Sequence, residues 1–491
     1  MRLTHLLNGL EIQNELQKEA ERLTIEGLAD NSAHISDNYI FVAIKGHRSD
    51  GHDYIQDALN KGACVVIGEQ EFSNLPVPYL QVENSRKALG ILARNFYKNP
   101  SHKKQMIGIT GTNGKTTTSY LLRHILEYAG YSCAVFGTIQ NIINGESRKS
   151  TNTTPNSLDL HRMLAESKDD IAIVEVSSHG LSQWRLEGVL FDLCLFTNLH
   201  PEHLDYHHTM DRYFEAKMSL FDHMKIHGNA IINTDNGWGS KLATILKQRE
   251  KNVYTTGKTD NNDLKIMEYD METSTVIVKE FAETSIISPI AGVHNVYNTI
   301  SAYAAALLAG VKKEVAAASL PHFKGIDGRF ETISIPEGPT VVIDYAHTAD
   351  AIENCLKTAR QYSANRVLHV FGFRGNRDIS KRGQMLQISA SLSDQYILTL
   401  DDLNKVSYRD MIGTLKELQE EFGQQNGRII ADRTLAIKQA IKKCCSGDWV
   451  IITGKGHERY QQSYDMHTAS DKETVCQIRD QSGGENLGIA F

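Results

Sequence analysis

The chain has no surplus of positive charge, no apolar run of membrane-spanning length and no paired-cysteine pattern, and each absence removes a class of protein. Lysine and arginine total 52 against 59 aspartates and glutamates, a formal net charge of −7. With no basic excess to neutralise a phosphate backbone, nucleic acid is not an expected partner. No stretch approaches the roughly 20 apolar residues a transmembrane helix requires. The N-terminus also lacks the apolar core and small-residue cleavage site of a signal peptide. No membrane partner and a cytoplasmic location are therefore expected. The seven cysteines are scattered, with one adjacent pair, Cys444 and Cys445, and no C-x-x-C; this suits reduced thiols better than a disulfide framework or a zinc site. Internal repeats and low-complexity tracts are absent too. What remains is 41% hydrophobic and 23% charged over 491 residues, the composition of a globular protein too long for one core, so about two to four domains are expected.

The most informative stretch is Gly111-Thr112-Asn113-Gly114-Lys115-Thr116, followed by Thr117. It comes after a short apolar run, 106–109, and opens onto 117–129, where Tyr120, Leu121, Leu122, Ile125 and Leu126 recur at helical spacing before Gly130. The pattern is strand, glycine loop, helix. Such a loop can turn its backbone N–H groups toward a phosphate chain, with Lys115 reaching the terminal phosphates and the Thr116 hydroxyl holding Mg²⁺. Counting back from Gly114 puts Ile109 where the general phosphate loop has its first glycine. This is a shortened variant, and a chance glycine-rich turn is the bland alternative.

Along the chain, short strands and helices fill residues 1 to about 100, at 39–44, 55–61, 64–68 and 78–82, followed by a helix at 85–97. Asn99-Pro100 breaks the last helix. From there to about 330 strands and helices alternate, as in a mostly parallel sheet covered on both faces. The apolar run 171–176 suits a buried parallel strand that delivers Glu175 to its carboxyl edge. Residues 260–290 read as a β insertion and 295–309 as a packed helix. After Gly325 to Gly328, strands at 341–344, 367–372, 395–400, 429–431 and 449–453 alternate with helices. This is a doubly wound domain, which places ligands at the strands' carboxyl ends. The fold class is α/β with three domains, bounded at 1–101, 102–327 and 328–491.

Five more segments sit where strands should end. Glu175, followed by Ser177 and His179, can reach a metal on a triphosphate, or is a solvated acid. The span 198–208 holds four histidines and two acids at irregular spacing. His203 as a Mg²⁺ ligand fits better than zinc, and plain loop histidines remain possible. Asp344 and His347, then Gly375, Asn376, Arg377 and Asp378 with Lys381 and Arg382, then Gly454 to Glu458, each follow a strand of the last domain. Lys217 lies among Tyr213, Phe214, Met218 and Phe221 at helical spacing. A lysine so placed ordinarily snorkels its ammonium to water.

These residues jointly resemble the Mur ligase family over nearly the whole length. The phosphate loop, Glu175 to His179, His203 to His207, Asn295 to Asn298, Gly328-Arg329, Asp344 to Thr348 and Gly454 to Glu458 carry the resemblance. Asn152 to Pro155, Lys45 to Arg48 and the run 177–185 point within it to the MurE type. The resemblance implies an N-terminal UDP-binding domain, a central ATPase domain and a C-terminal Rossmann-like domain. It implies an ATP- and Mg²⁺-dependent, ADP-forming ligase of peptidoglycan precursor synthesis, working as a monomer on small molecules. Such an enzyme converts the terminal carboxylate of UDP-MurNAc-L-Ala-D-Glu to an acyl phosphate, which the amine of an incoming amino acid then attacks. Carried over by position, Lys115, Glu175, His203 and Lys217 are catalytic, with Thr116, Glu175 and His203 at the metal. Lys217 becomes an N6-carboxylysine made with CO₂. Gly111 to Thr117, Asn295, Asn298, Arg329, Asp344 and His347 hold the nucleotide. Ser32, His47, Asn152, Thr153, Thr154, Ser177, Gln183 and Arg185 contact the UDP-muramoyl-peptide, and Arg377, Gly454 and Glu458 the amino acid.

The sequence also departs from the family pattern. Members that add meso-diaminopimelate carry Asp-Asn-Pro-Arg where this chain has Asp401-Asp402-Leu403-Asn404. Asparagine cannot replace a bidentate guanidinium, which argues against diaminopimelate, while Asp401 and Asp402 beside Asn404 suit a cationic side chain such as that of lysine. Asn31-Ser32-Ala33 stands for Asp-Ser-Arg, Phe373-Arg374 for two small residues, and His294 for phenylalanine. A paralogous ligase acting on another carboxylate is thus an alternative. A folylpolyglutamate-type ligase is disfavoured because residues 1–100 fill the UDP-domain position. A non-catalytic binding protein is disfavoured because Lys115, Glu175, His203 and Lys217 are all present.

Overall fold

Three separate sheets, each built on parallel strands, organise the chain. The computed structural model describes residues 1–15, 18–46, 49–72, 74–376 and 378–485, with side chains described as far as residue 481. In the first sheet Gly27–Ala29, Tyr39–Val42, Ala63–Gly68 and Tyr79–Gln81 pair in that order, all parallel. The helix Ser85–Phe96 follows. Asn84 starts it by accepting a hydrogen bond from the Lys87 N–H at 3.0 Å, which satisfies one of the four donors a helix start leaves unpaired.

The central sheet has eleven strands. Its middle runs Asn252–Gly257, Met224–Asn233, Phe191–Phe196, Gln105–Thr110, Ile171–Val176, Cys133–Phe136, all parallel. Both faces are buried. Ile171 and Ile173 pack with Leu121 and Ile125 of the helix Lys115–Tyr128, while Ala172 and Val174 pack with Phe136 and Phe191 on the other side. The two-residue period of a strand then puts Glu175 on the face with Ile171 and Ile173, beneath the phosphate-loop helix. The 260–290 segment extends this same sheet. Leu264–Asp270 joins it in parallel, and Thr275–Lys279 and Glu283–Ile287 return antiparallel. The far edge is a hairpin, Gln140–Ile143 with Glu146–Lys149, whose outer strand is polar and largely exposed.

The last sheet runs Glu331–Ser334, Thr340–Asp344, Trp449–Thr453, Val367–Phe373, Gln395–Leu400, Gly427–Ile429, parallel except for its first, antiparallel edge strand. The first of these has no apolar run to announce it, and the last falls two residues earlier than the sequence suggested. Behind the sheet, Arg433 and Asp471 are both fully buried and paired bidentately, Nε to Oδ1 and Nη2 to Oδ2 each at 2.7 Å. This ties the helix Arg433–Lys442 to the helix Asp471–Glu485. No helix among the described residues is long and apolar enough to cross a membrane.

Candidate active site

The glycine loop follows the central strand Gln105–Thr110, flanked by the ends of Phe191–Phe196 and Ile171–Val176. Its two glycines are required by space as well as by backbone. At Gly111, φ is +147° and an added Cβ would lie 1.9 Å from Thr197 Oγ1; at Gly114, φ is +88° and it would lie 2.2 Å from Asn298 Oδ1. Only glycine adopts such turns freely and lets a neighbour approach so closely. The neighbouring strand pins the loop. The Thr112 N–H donates to Asn198 O at 2.9 Å, and the Asn113 N–H to Asn198 Oδ1 at 3.0 Å. The helix Lys115–Tyr128 starts without a side-chain cap, so its first N–H groups and dipole are offered to an anion. Lys115 Nζ donates to the carbonyls of Gly111 and Thr112 at 2.8 and 2.9 Å. Burial lowers its ammonium's pKa, a cost that a phosphate charge would offset.

Glu175 is fully buried. Its carboxylate accepts from Thr116 Oγ1 and Thr138 Oγ1, each at 2.8 Å, and from Ser119 Oγ at 3.3 Å. A hydroxyl and a carboxylate beside a phosphate loop are the hard oxygen donors that Mg²⁺ takes together with substrate phosphates and water, so these residues fit the ion. His203 stands apart from that pair but lines the same cavity as Thr116. It has left-handed backbone, φ 57°, and its ring packs 4.8 Å from His179. Burial pushes its imidazole down to about 4, which leaves a neutral ring able to donate a lone pair. Among the described residues no group of three or more His, Cys, Asp or Glu is disposed to hold a metal ion. His179, His203 and His207 instead pack ring against ring.

Lys217 does not snorkel. It sits on the helix Met210–Met218, is 1% exposed, and donates to the Gly111 carbonyl at 2.8 Å, with its ammonium 4.7 Å from the Tyr213 ring centroid. Desolvation, assisted by the Lys115 charge, holds it well below an ordinary lysine.

Two cavities share the loop as a wall. One, of about 320 Å³, is lined by Asn113, Asn295, Asn298, Arg329, Asp344 and His347, among others. Asn298 Nδ2 donates to Asn295 Oδ1 at 3.0 Å. Arg329 lies 4.5 Å over the Tyr345 ring and donates to Thr116 Oγ1 at 3.3 Å, linking the last domain to the phosphate loop. Asp344 accepts from the Phe330 and Ala346 N–H groups at 2.6 and 2.7 Å. The His347 Nε2 lies 3.1 Å from Glu202 Oε1, and Asn113 Nδ2 donates to Asp350 at 3.0 Å. These are further contacts between loop and last domain.

The other cavity, of about 350 Å³, runs from Thr112 to Thr117 past Glu202 and His203 to Arg374, Asp378, Arg382 and Asp401. Its far end differs from the picture drawn for the incoming amino acid. Asp402 is buried against Lys455, Oδ1 to Nζ at 2.7 Å, and Asp401 lies 3.4 Å from the same ammonium and 3.6 Å from Arg374 Nε. Both acids thus have cations from the chain itself and are not waiting for one. The Asn404 side chain donates to Gly375 O at 3.0 Å, bracing two loops, and it does not line the cavity. Gly454 and Glu458 both bind Arg374.

On the third side, Thr153 and Ser177 line the same cavity. Thr154 is buried and donates to Glu175 O at 2.8 Å, and its own carbonyl accepts from Arg185 Nη1 at 2.7 Å. Arg185 also binds Gln183 Oε1 at 2.7 Å. Asn152, Gln183 and Arg185 line a smaller cavity of about 90 Å³ with Arg86 and Asp30. Ser32 is buried in the turn Ser32–His34. His47 and Arg377 lie outside the described residues.

The sequence did not single out Glu202, Thr138 or Tyr345. Glu202 is nearly buried. Burial raises its carboxyl, but the hydrogen bond and charge of His347, with His203 and Lys381, hold it well below the usual range. Its place in the histidine-rich run was the only signal. Tyr345 was hidden inside the Asp344 motif as an apparent spacer.

Comparison with known proteins identifies the family. Family models described as Mur ligase family, catalytic domain, Mur ligase middle domain, and Mur ligase, glutamate ligase domain match residues 24–97, 109–306 and 328–456. The chain belongs to the Mur ligase family, whose members are ATP-dependent, ADP-forming ligases. It is 35% identical, over 97% of its length and 99% of the relative's, to a UDP-N-acetylmuramoyl-L-alanyl-D-glutamate–2,6-diaminopimelate ligase of Clostridium botulinum. It is 38% identical, over 92% and 93%, to a protein of the same name from Aquifex aeolicus. A solved structure of a ligase of that name superposes with a TM-score of 0.70 at 27% identity, covering 98% of this chain and 99% of its own.

Proposed function

We propose that this protein joins an amino acid to the terminal carboxylate of UDP-MurNAc-L-Ala-D-Glu, the third-residue step of the muramoyl peptide. The observation that carries the proposal is the 350 Å³ cavity, bounded at one end by the phosphate loop and at the other by charged loops of the last domain. A carboxylate energised at one end and an amine held at the other would meet inside it. On this reading residues 1–101 bind uridine, 102–327 bind ATP, and 328–491 bind the amino acid, all within one chain in the cytoplasm, where ATP is available.

The two half-reactions make different demands. In the first, a carboxylate oxygen attacks the γ-phosphorus and ADP leaves. Lys115 and the loop N–H groups would offset the crowded anionic charge. Mg²⁺, when bound through Thr116 and Glu175 with His203 nearby, would supply further charge neutralisation at the phosphates. In the second, the amine attacks the acyl phosphate's carbonyl carbon, phosphate departs, and the nitrogen loses a proton. Here position counts most, and the contacts from Arg329, His347 and Asp350 to the central domain would hold the far domain in reach. Lys217 is suited to carbamylation, because burial disfavours its ammonium; once deprotonated, the amine can attack CO₂ and release a proton, leaving a carboxylate where a desolvated cation stood.

For the incoming amino acid, the relatives' names support diaminopimelate. The case for lysine rested on Asp401 and Asp402, which are paired internally. Asn404 braces Gly375 and does not line the cavity, so it does not decide between the two. Phosphate release from ATP with UDP-MurNAc-L-Ala-D-Glu should become dependent on one amino acid, with diaminopimelate and L-lysine tried first. If no amino acid stimulates release, the ligase proposal fails.

A further inference from the structure

The far end of the amino-acid cavity contains an internal substitution of charge. The Gly454 carbonyl and the Glu458 carboxylate form a pair of acceptors of the kind that would take an ammonium. Here the guanidinium of Arg374 fills it. Nη2 donates to Gly454 O at 3.1 Å and makes a close ion pair with Glu458 Oε2, while Nη1 reaches Glu458 Oε1 at 3.4 Å. Asp401 flanks the other edge at 3.6 Å, and the Tyr345 ring lies 5.6 Å away. Arg374 is itself held in place, because its carbonyl accepts from Arg382 Nη2 at 2.8 Å. Arg374 lines the cavity, whereas Gly454 and Glu458, behind it, do not. The acceptors are therefore engaged, and the cavity wall there presents the Arg374 side chain, 19% exposed, with its Nε buried. Of the described charged residues on that wall, Arg374, Lys381 and Arg382 outnumber Asp378 and Asp401.

Resting on the ligase reading above, we infer that Arg374 selects the incoming amino acid by its side chain, accepting one that ends in a carboxylate and rejecting one that ends only in an ammonium. A carboxylate there would take the second N–H of Nη1, which Glu458 leaves free, in a charge-assisted bond. An ammonium would meet a fixed cation and find its acceptors already used, and such a repulsive element discriminates as strongly as a new contact.

The test compares L-2-aminoadipate with L-lysine, which are close in length and opposite in terminal charge, with diaminopimelate as a third substrate. Phosphate release is measured for wild type and for Arg374→Gln and Arg374→Lys. In wild type, kcat/KM for the carboxylate-ended amino acids should exceed that for lysine by at least about tenfold. Arg374→Gln should reduce that preference about tenfold, mostly through KM, and Arg374→Lys should keep part of it. An unchanged melting temperature and ADP affinity would show that the variants are folded. A wild type that prefers lysine, or a preference that Arg374→Gln leaves within twofold, overturns the inference while the ligase reading stands. If no amino acid stimulates release from wild type, both fall together.

Discussion

The Lys217 ammonium donates to the carbonyl of Gly111 at 2.8 Å, although 106 positions separate the two residues. One is the most buried lysine near the phosphate loop, the other the loop's first glycine. A chemical change at Lys217 would thereby reach the backbone of the glycine loop. Without modification this site holds the buried Lys217 amine, whose ammonium is disfavoured by desolvation and by the charge of Lys115. A carbamate there would replace repulsion with attraction.

Lys217→Ala should consequently lose activity by at least about 100-fold, on the scale of losing a well-placed charge stabiliser. Formate or acetate, added at high concentration, should restore part of it by placing a carboxylate in the space left behind. Amino-acid-dependent phosphate release is the readout. Full activity in the variant would remove the carbamate from the mechanism.

Gly114→Ala places a methyl group against the Asn298 side-chain oxygen at a residue with φ +88°. Left-handed backbone alone costs about 1–2 kcal/mol for alanine, and the clash must in addition displace Asn298 from the 320 Å³ cavity. ADP affinity measured by calorimetry should fall more than tenfold, with the melting temperature only modestly reduced. Lys115→Met, which keeps both glycines but removes the ammonium's bonds to the Gly111 and Thr112 carbonyls, should keep the melting temperature close to that of wild type and lower phosphate release by about 10²–10³. Normal ADP affinity in Gly114→Ala would mean that the loop does not grip the nucleotide.

The Arg433–Asp471 pair is a stability device that does not line either cavity. Both side chains are fully buried and the pairing is bidentate. Removing one partner strands a desolvated charge, which costs about 3–5 kcal/mol. Asp471→Asn should therefore lower the urea midpoint sharply, while Arg433→Met with Asp471→Leu, which removes both charges, should recover most of the loss. Equal losses in the single and double variants would rule out the buried charge as the cause.

Much of the architecture was legible because period and punctuation agree locally. The run 171–176 is apolar on both faces, and it is a central parallel strand. The glycine loop lies between a strand and a helix, as the apolar spacing required. Legibility ended where local pattern is weak or where a partner lies far away in sequence. Glu146–Lys149 and Glu331–Ser334 are short edge strands without an apolar run. Lys217 has the same sequence surroundings whether its ammonium reaches water or is buried, and only the folded helix decides. Asp401 and Asp402 resembled a cation receptor because Lys455 and Arg374, which neutralise them, come from other strands' loops. Glu202 was one acid among many histidines until His347 met it from another domain.

His369 provides a pH-dependent measure of the last domain. It is fully buried on the strand Val367–Phe373, with Nδ1 2.8 Å from Ser389 Oγ and Nε2 2.9 Å from Thr453 Oγ1. Burial, helped by the Arg433 charge, holds its imidazole down to about 3. The unfolded chain would take up that proton near pH 6.5 and the native protein only far below, so the unfolded state binds more protons throughout the interval. Stability should be full above about pH 6.5 and fall on acidification toward pH 3, at up to roughly 1.4 kcal/mol per pH unit from this group. His369→Gln, which retains a hydrogen-bonding group but does not titrate, should be less stable than wild type at pH 7.5. It should also lose stability less steeply between pH 6.5 and 4 in urea melts. His161, pushed down to about 4 by burial in the central domain, would keep the remaining slope above zero. Parallel stability curves for wild type and His369→Gln would show that His369 is not the group being protonated.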